Sequence, residues 1–369
     1  MIIGVLKEIK KNENRVSVLP SGVKSFVEAG HTVYIEKKAG AESGFSDDEY
    51  VKSGAKMLDK PRDVYNIAEM IMKVKEPLES EYSFLREGQI LFTYLHLASD
   101  PVQTKALLDA KVIGIAYETV QIANNSLPLL APMSAIAGRM SIQVGAYLLQ
   151  KSNQGSGVLL GGVPGVLPGY VTIIGGGVVG INAAKMASGL GARVTILDVS
   201  TERLAYIHDI LPNVITLISN DYNIAAAVSE ADLVIGAVLV PGAKAPKLVT
   251  EKMVMNMRPG SVIVDVAIDQ GGSVETIDRL TNHDKPYFIK YDVIHYSVPN
   301  MPGAVPRTST FALSNATMPF ALEIANKGAE VAMRENPALM KGLNVYKGKV
   351  INKPVAQAQG ILYEPVNFD

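Results

Sequence analysis

The feature that most limits what this chain can fold into is a run of six residues, Gly175-Gly176-Gly177-Val178-Val179-Gly180. The apolar stretch VTII (171–174) precedes it, a stretch rich in Ala and Gly follows it as far as Leu190, and RVTILD (193–198) comes next, ending in Asp198. Short β-branched runs bounded by glycine read as buried strands, and the Ala-rich stretch between them reads as a helix. Gly175, Gly177 and Gly180 therefore sit at G-x-G-x-x-G spacing in a strand–turn–helix unit. Gly175 allows the tight turn, Gly177 removes a side chain where backbone must approach a ligand, and Gly180 lets helix and strand pack closely. The surrounding stretch 155–184 carries no charge and is long enough to span a membrane. Its GSG, GGVPG and GGG runs with Pro164 and Pro168 break such a helix, so it reads as a glycine-rich loop entering a buried strand.

Backbone amides at the start of the helix after this turn face outward, and the helix dipole adds to their attraction for a phosphate. Asp198 follows the turn by about twenty residues, where a carboxylate accepts hydrogen bonds from an adenosine ribose and repels a 2′-phosphate. The unit therefore reads as a Rossmann-type dinucleotide site with NAD preferred over NADP. A surface Asp that only caps the next helix is the lesser reading, and the two roles can coexist.

The rest of the composition excludes more than it selects. The 369 residues hold 35 Lys and Arg against 36 Asp and Glu, for a formal net charge of −1. No basic excess or polybasic run is available for a nucleic-acid backbone or an anionic membrane surface. The chain has no cysteine, which excludes disulfides, thiolate nucleophiles and thiolate metal sites; no metal site is expected. The opening MIIGVLKEIKK has no long apolar stretch of the kind a signal peptide needs.

Strand and helix patterns alternate along the chain. Strands are expected at 2–6, 31–36, 69–74, 90–95 and 112–117. A helix is expected at 20–29, opened by Pro20 and closed by Gly30, and another starts at Ser46. A long helix at 134–151 repeats Ile136, Met140, Val144 and Leu148 on one face and reads as a packing element joining two domains. After the glycine turn come further strands at 193–198, 214–218, 233–237, 261–266 and 287–289. A helix follows at 308–327, with Pro319 expected to kink it or end its first part. The fold class is α/β: two Rossmann-like, doubly wound parallel-sheet domains separated by a cleft. The expected division is a discontinuous substrate domain, 1–128 with 306–369, and an NAD-binding domain, 129–305.

Few side chains suit proton or substrate chemistry. Of the five histidines, His31 opens a strand and reads as structural, and His208 and His283 read as solvent-facing. His295 lies among apolar residues and reads as a satisfied core histidine. His96 ends the strand ILFTYL at a loop, where ligands of open α/β sheets bind, and an imidazole titrates near neutrality. Catalysis and a structural role both fit that position. Lys75 follows EMIMKV at a strand end, and Lys73, two residues before it, reads as a solvated surface lysine. Arg15 in the loop after the first strand gains meaning only if a substrate carboxylate is there to grip. Asp269 follows the strand of SVIVDVAIDQGG, at a rim where a carboxylate can exchange protons; Asp265 within that run reads as structural. Asn300, in VPNMPG, is in a stiff loop that can position a cofactor amide or simply connect domains.

These blocks together resemble the alanine dehydrogenase family, which is shared with the nucleotide-binding part of proton-translocating transhydrogenase. The likeness covers essentially the whole chain: KEIKKNENRVSVLP, MKVKEP, LFTYLHLA, LAPMSAIAGRMS, GGGVVG, ADLVIGAVLVPGAKAP, DVAIDQGG and HYSVPNMPGAVPRTST occur in order. The resemblance implies reversible NAD-dependent oxidative deamination of L-alanine to pyruvate and ammonium. It implies Arg15 and Lys75 as substrate-binding residues and His96 and Asp269 as the acid–base pair. Its cofactor contacts map to Ser134, the glycines of the turn, Val178, Val179, Asp198, Arg203, Ser219, Val238 and Leu239, to Val266, Ala267, Ile268 and Asp269, to Arg279, and to Val298, Asn300 and Met301. It further implies a cytoplasmic homohexamer with no membrane or nucleic-acid partner. The stretch after Asp269 is one residue longer than is usual in the family, which bears on Arg279. Gly176 stands where many members have Ala, a position that needs only a small residue. A free-standing nucleotide-binding subunit of a transhydrogenase is the alternative; it needs the glycine turn but no amino-acid pocket, and LFTYLHLA with His96 argues against it. A non-enzymatic NAD sensor is the third reading, one in which His96 is dispensable.

Overall fold

The computed structural model describes residues 1–238, 245–366 and 368. They form two compact units, Met1–Met133 with Gly303–Asp369, and Ser134–Pro302. In chain order the first unit supplies β1 (Ile2–Val5), β2 (Thr32–Glu36), β3 (Lys56–Leu58), β4 (Met70–Met72), β5 (Ile90–Thr93) and β6 (Ile113–Ala116). The second supplies β7 (Tyr170–Ile174), β8 (Arg193–Asp198), β9 (Val214–Ile218), β10 (Leu233–Gly236), β11 (Val262–Asp265), β12 (Tyr287–Lys290) and β13 (Val293–Tyr296). The chain then returns to the first unit with β14 (Leu343–Tyr346) and β15 (Lys349–Val350).

Both sheets follow the same plan. In the first unit the order is β15-β14-β6-β5-β4-β1-β2-β3. The chain starts at β1, winds one way through β2 and β3, and then crosses to β4 and winds the other way. In the second unit the order is β12-β13-β11-β10-β7-β8-β9, with the reversal between β7 and β10. Each sheet is thus doubly wound about a switch point, and ligand crevices open beyond the carboxyl ends of strands at such points. Most pairings are parallel, but β14 pairs antiparallel with β6 and β15, and β12 pairs antiparallel with β13. These antiparallel pairings, at one side of each sheet, differ from the purely parallel sheets expected from the sequence.

The inner strands are apolar on both faces because helices cover both sides. Residues of β4, β5, β6, β10 and β11 are buried throughout, as parallel strands require. The first core gathers Leu6, Ile71, Leu91, Leu107 and Val345, and the second Ile174, Leu197, Val234, Ile263 and Val293. Ser46 opens its helix with a capping box, its hydroxyl accepting from the Glu49 amide while Glu49 reaches back to the Ser46 amide. The long helix spans Ala131–Leu148. The helix Pro306–Lys327 runs through Pro319 without ending. No helix among the described residues is long and apolar enough to cross a membrane. Strands β3, β13, β14 and β15 go beyond those read from the sequence; β3 and β15 are only two or three residues long and owe their pairing to neighbours distant in sequence.

Candidate active site

In the second unit the glycine turn follows β7 at the switch point. Gly175 has φ +106°, a left-handed value that disfavours side chains, and a Cβ on it would lie 2.6 Å from the Ala237 carbonyl. A Cβ on Gly180 would lie 1.8 Å from the carbonyl oxygen of Gly175, so helix Val178–Gly189 can leave the turn at this angle only if residue 180 is glycine. Gly177 is different: nothing lies within 4 Å of the Cβ it lacks. It precedes the helix, and no side chain caps that end. Its missing side chain thus leaves room for a ligand, not for the protein itself. Gly138, which the sequence reading did not single out, plays the opposite part. Its missing Cβ would fall 2.2 Å from the Val179 carbonyl, so this glycine brings helix Ala131–Leu148 onto the backbone of the turn. Ser134 lies one helical turn before Gly138 and so shares its face.

Asp198 ends β8. One carboxylate oxygen accepts the Gly176 amide at 2.7 Å and the other the Ser200 amide at 2.9 Å. Asp198 therefore braces the glycine turn from the neighbouring strand, and Ser200 caps the following helix through the Arg203 amide. Open space at Gly177, uncapped amides and a fixed carboxylate at the next strand end are the parts a dinucleotide needs.

The other expected cofactor residues lie mostly along the same edge. Ser219 follows β9 and its amide donates to the Asp198 carbonyl at 2.9 Å. Val238 follows β10, and Leu239 lies outside the described residues. Val266, Ala267, Ile268 and Asp269 form a short 3-10 turn directly after β11. Asp265 braces it: the buried carboxylate accepts from the amides of Ala267 (3.1 Å) and Ser273 (2.7 Å). Burial pushes the Asp265 carboxyl up, against the pull of those amides. Asp265 is thus structural, as its place in the strand implies. Asp269 is exposed at the rim, and the Asn300 amide points to its carboxylate at 3.3 and 3.4 Å. Asn300 holds a left-handed φ of +54° between buried Val298 and Met301. Arg203 is exposed near the Tyr206 ring. Arg279 pairs with Asp278 at 2.6 Å and stacks over Phe288 of edge strand β12.

His295 is fully buried. Its Nδ1 lies 2.8 Å from the Val293 carbonyl and its Nε2 2.8 Å from the Thr276 hydroxyl. A carbonyl only accepts, so Nδ1 carries the proton and Nε2 accepts from Thr276. Burial then lowers its pKa to about 4. It is the satisfied core histidine the sequence suggests.

In the first unit Arg15, Lys75 and His96 follow β1, β4 and β5, three adjacent parallel strands at the switch point. Arg15 is 2% exposed; Glu13 grips its Nε at 2.6 Å and one terminal nitrogen at 2.5 Å, while the other faces the Met133 sulfur at 3.0 Å. Burial opposes the charge, but the Glu13 hydrogen bonds and charge outweigh it and raise the pKa, so Arg15 stays cationic. Lys75 is half-buried, its amide bound to Glu8 at 3.1 Å and its carbonyl to the Thr93 hydroxyl at 3.0 Å.

His96 is exposed and stacks parallel to Tyr94 with ring centres 5.8 Å apart. Its backbone is left-handed, φ +51°, an uncommon conformation outside glycine that is concentrated at functional sites. Glu118, just after β6, holds it there: its carboxylate accepts the His96 amide at 2.7 Å, and Nδ1 lies 3.9 Å away. The sequence reading passed over Glu118, although its place after the strand VIGIAY was the available signal. One expectation is corrected outright. Lys73 is no solvated lysine: it is 0% exposed and lies between Glu81 (2.9 Å) and Glu8 (3.5 Å). Burial opposes its charge, but the two carboxylates prevail and raise its pKa.

The family description "Alanine dehydrogenase/PNT, N-terminal domain" matches residues 4–137, and "Alanine dehydrogenase/PNT, C-terminal domain" matches residues 141–353. An alanine dehydrogenase of Methanococcus maripaludis is 65% identical over 366 residues, covering 99% of this chain and 98% of its own. A solved L-alanine dehydrogenase superposes with a TM-score of 0.94 at 53% identity, covering 98% of this chain and 99% of its own. A transhydrogenase from Sinorhizobium meliloti superposes with a TM-score of 0.80 at 24% identity over 96% of this chain and 99% of its own; that likeness concerns the fold.

Proposed function

The chain belongs to the alanine dehydrogenase/PNT family, and on that premise we propose that the polar side chains along its two sheet rims carry the reversible oxidative deamination of L-alanine. L-alanine, water and NAD⁺ give pyruvate, ammonium, NADH and a proton. The observation that carries the reading is the succession of Arg15, Lys75 and His96 after three adjacent strands at a switch point, in a chain whose second unit bears a glycine turn with ligand space at Gly177.

The unit Ser134–Pro302 is assigned the cofactor, and the unit Met1–Met133 with Gly303–Asp369 the amino acid. NAD, when bound, supplies the hydride acceptor for the alanine Cα. Arg15 and Lys75 supply two cations for the substrate carboxylate, and Glu13 fixes the plane of the Arg15 fork. Holding the carboxylate orients Cα, and orientation of this kind removes much of a barrier. Lys75 also offers positive charge to the oxygen that becomes the pyruvate carbonyl. His96 and Asp269 exchange protons with the nitrogen and oxygen at Cα as water adds and ammonia departs. The exposed edges of both side chains suit groups that must trade protons with substrate and solvent. The remaining cofactor residues named above, Leu239 and Arg279 included, keep their assignment, as does a cytoplasmic homohexamer.

Alanine-dependent NADH formation by the isolated protein at alkaline pH tests the reading. Activity is expected. Intact NADH binding with no turnover of alanine would sink it and favour a hydride-relay subunit of a transhydrogenase. Light scattering at six times the monomer mass checks the assembly.

A further inference from the structure

We propose that Glu8 is a positioning residue, which sets where Lys75 leaves the sheet relative to Arg15; the proposal rests on the reading of Lys75 as a substrate-binding group. Glu8 lies in the loop after β1, the same loop that carries Arg15, and is 7% exposed. A single oxygen of its carboxylate accepts two consecutive amides, Val74 at 2.6 Å and Lys75 at 3.1 Å. Successive amides in a strand point to opposite sides. Their convergence on one oxygen therefore marks the point where the chain of β4 is bent out of the sheet, and the carboxylate defines the bend.

The other pegs agree. The Ser17 hydroxyl donates to the Met72 carbonyl at 2.9 Å, from the β1 side. The Thr93 hydroxyl, at the end of β5, donates to the Lys75 carbonyl at 3.0 Å. Residue 75 is thus held by its amide to the loop that leads to Arg15 and by its carbonyl to the strand that leads to His96. Lys10 and Glu76 add an ion pair between the same two loops.

Stability alone is a weak reason for this arrangement. The second Glu8 oxygen lies 3.5 Å from Lys73, which is buried between Glu8 and Glu81. Well-packed apolar residues commonly replace such a buried set with no loss of stability. What they cannot replace is an oxygen that gathers two amides. A shift of about 1 Å in a substrate-holding group can reduce turnover about 10²-fold.

The test is a double-mutant cycle in the full-length protein. Pyruvate affinity for the NADH complex, without ammonium, is read from NADH fluorescence in Glu8→Ala, Glu8→Gln, Lys75→Ala and Glu8→Ala/Lys75→Ala. Thr93→Val is measured alongside as a variant that keeps every charge. Expected results are a loss in pyruvate affinity of about tenfold or more for Glu8→Ala, a smaller loss for Glu8→Gln, which keeps an accepting oxygen, and a loss for Thr93→Val. NADH affinity stays within about twofold, and Glu8→Ala adds less than about twofold once Lys75 is gone. An unchanged pyruvate affinity in Glu8→Ala, or an equal loss with and without Lys75, overturns the proposal. If Glu8→Ala does not fold, Glu8→Gln and Thr93→Val decide it: native pyruvate affinity in both overturns it. If Lys75→Ala itself binds pyruvate normally, the substrate role of Lys75 fails first, an outcome visible separately in that single variant.

Discussion

Replacing Gly177 with alanine separates a glycine kept for the ligand from one kept for the fold. At this position φ is −70° and ψ −164°, extended backbone open to any residue, and the added Cβ meets no protein atom within 4 Å. The folded state therefore accepts the methyl, and the loss of a flexible glycine from the unfolded chain stabilises by about 0.4–1 kcal/mol. A ligand does not accept it. A phosphate bonded to amides at the helix start sits about 2.9 Å from their nitrogens, whereas carbon contacts need about 3.5–4.0 Å. The methyl forces it outward and removes one charge-assisted hydrogen bond, about 1.5–3 kcal/mol, or roughly ten- to a hundredfold in Kd. Fluorescence titration with NADH and thermal melts measure both effects. The controls come from the same turn. Gly180→Ala drives a carbon to 1.8 Å from backbone and should lose at least about 1–3 kcal/mol of stability as well as affinity. Gly176→Ala meets the end of the flexible Ile207 side chain at 2.8 Å and Arg203 Cγ and the Asp198 carboxylate at 3.1 Å; only side chains need give, so it should lose less of both than Gly180→Ala. Native NADH affinity in Gly177→Ala would refute the reasoning.

Other outcomes follow from single residues. His96→Ala should lower turnover by about 10²–10⁴ with NADH affinity unchanged within about twofold; native turnover would instead support the sensor reading. Asp198→Ala should weaken NAD binding and relax discrimination against NADP, and equal affinities for the two in the unmodified protein would remove that role. Lys73→Met leaves Glu8 and Glu81 buried without their shared cation and should reduce stability in urea by about 3–5 kcal/mol; a loss under about 1 kcal/mol would show the charges are not coupled as drawn. His295 has a folded pKa of about 4, below its ordinary value. The unfolded chain then binds more protons between about pH 4 and 6.5. The stability this gives is present above that window and lost as pH falls through it, by about 1.4 kcal/mol per unit. His295→Asn should flatten that part of the curve, and an unchanged slope would contradict it.

The glycine turn was legible because all its parts lie close together in sequence. The strand before it, the three glycines, the helix after it and Asp198 can be read off one stretch of some thirty residues, within the length of a βαβ unit. The rim of the first unit was harder. Lys75 and His96 stand just past strand ends and Arg15 in the loop after the first strand, which the pattern reveals, but only the order β5-β4-β1 brings the three strands together, and no local signal encodes that order. Lys73 was misread because its partners come from elsewhere: a lysine at a strand end looks solvated until Glu8 and Glu81 close on it from two other segments. Glu118 and Gly138 were missed for the same reason. Each matters for what it touches, the His96 amide or the Val179 carbonyl, and those contacts span tens of residues. Strand β14 has only four residues and the edge strand β15 only two, too few to show an alternating or apolar pattern of their own.

The route of the chain through the first sheet has a consequence for biosynthesis. Strand β6 is apolar and fully buried, yet its partner β14 is translated only after the entire second unit has left the ribosome. Until then β6 is an unpaired sheet edge of the kind that invites pairing with a neighbouring chain. The continuous second unit can close early, since domains tend to fold as they emerge, while the first must wait for its last strands. Premature termination before Leu343 should therefore yield a protein whose second unit is formed and whose first unit aggregates. The nascent chain is most vulnerable at its oldest sheet, not at its newest.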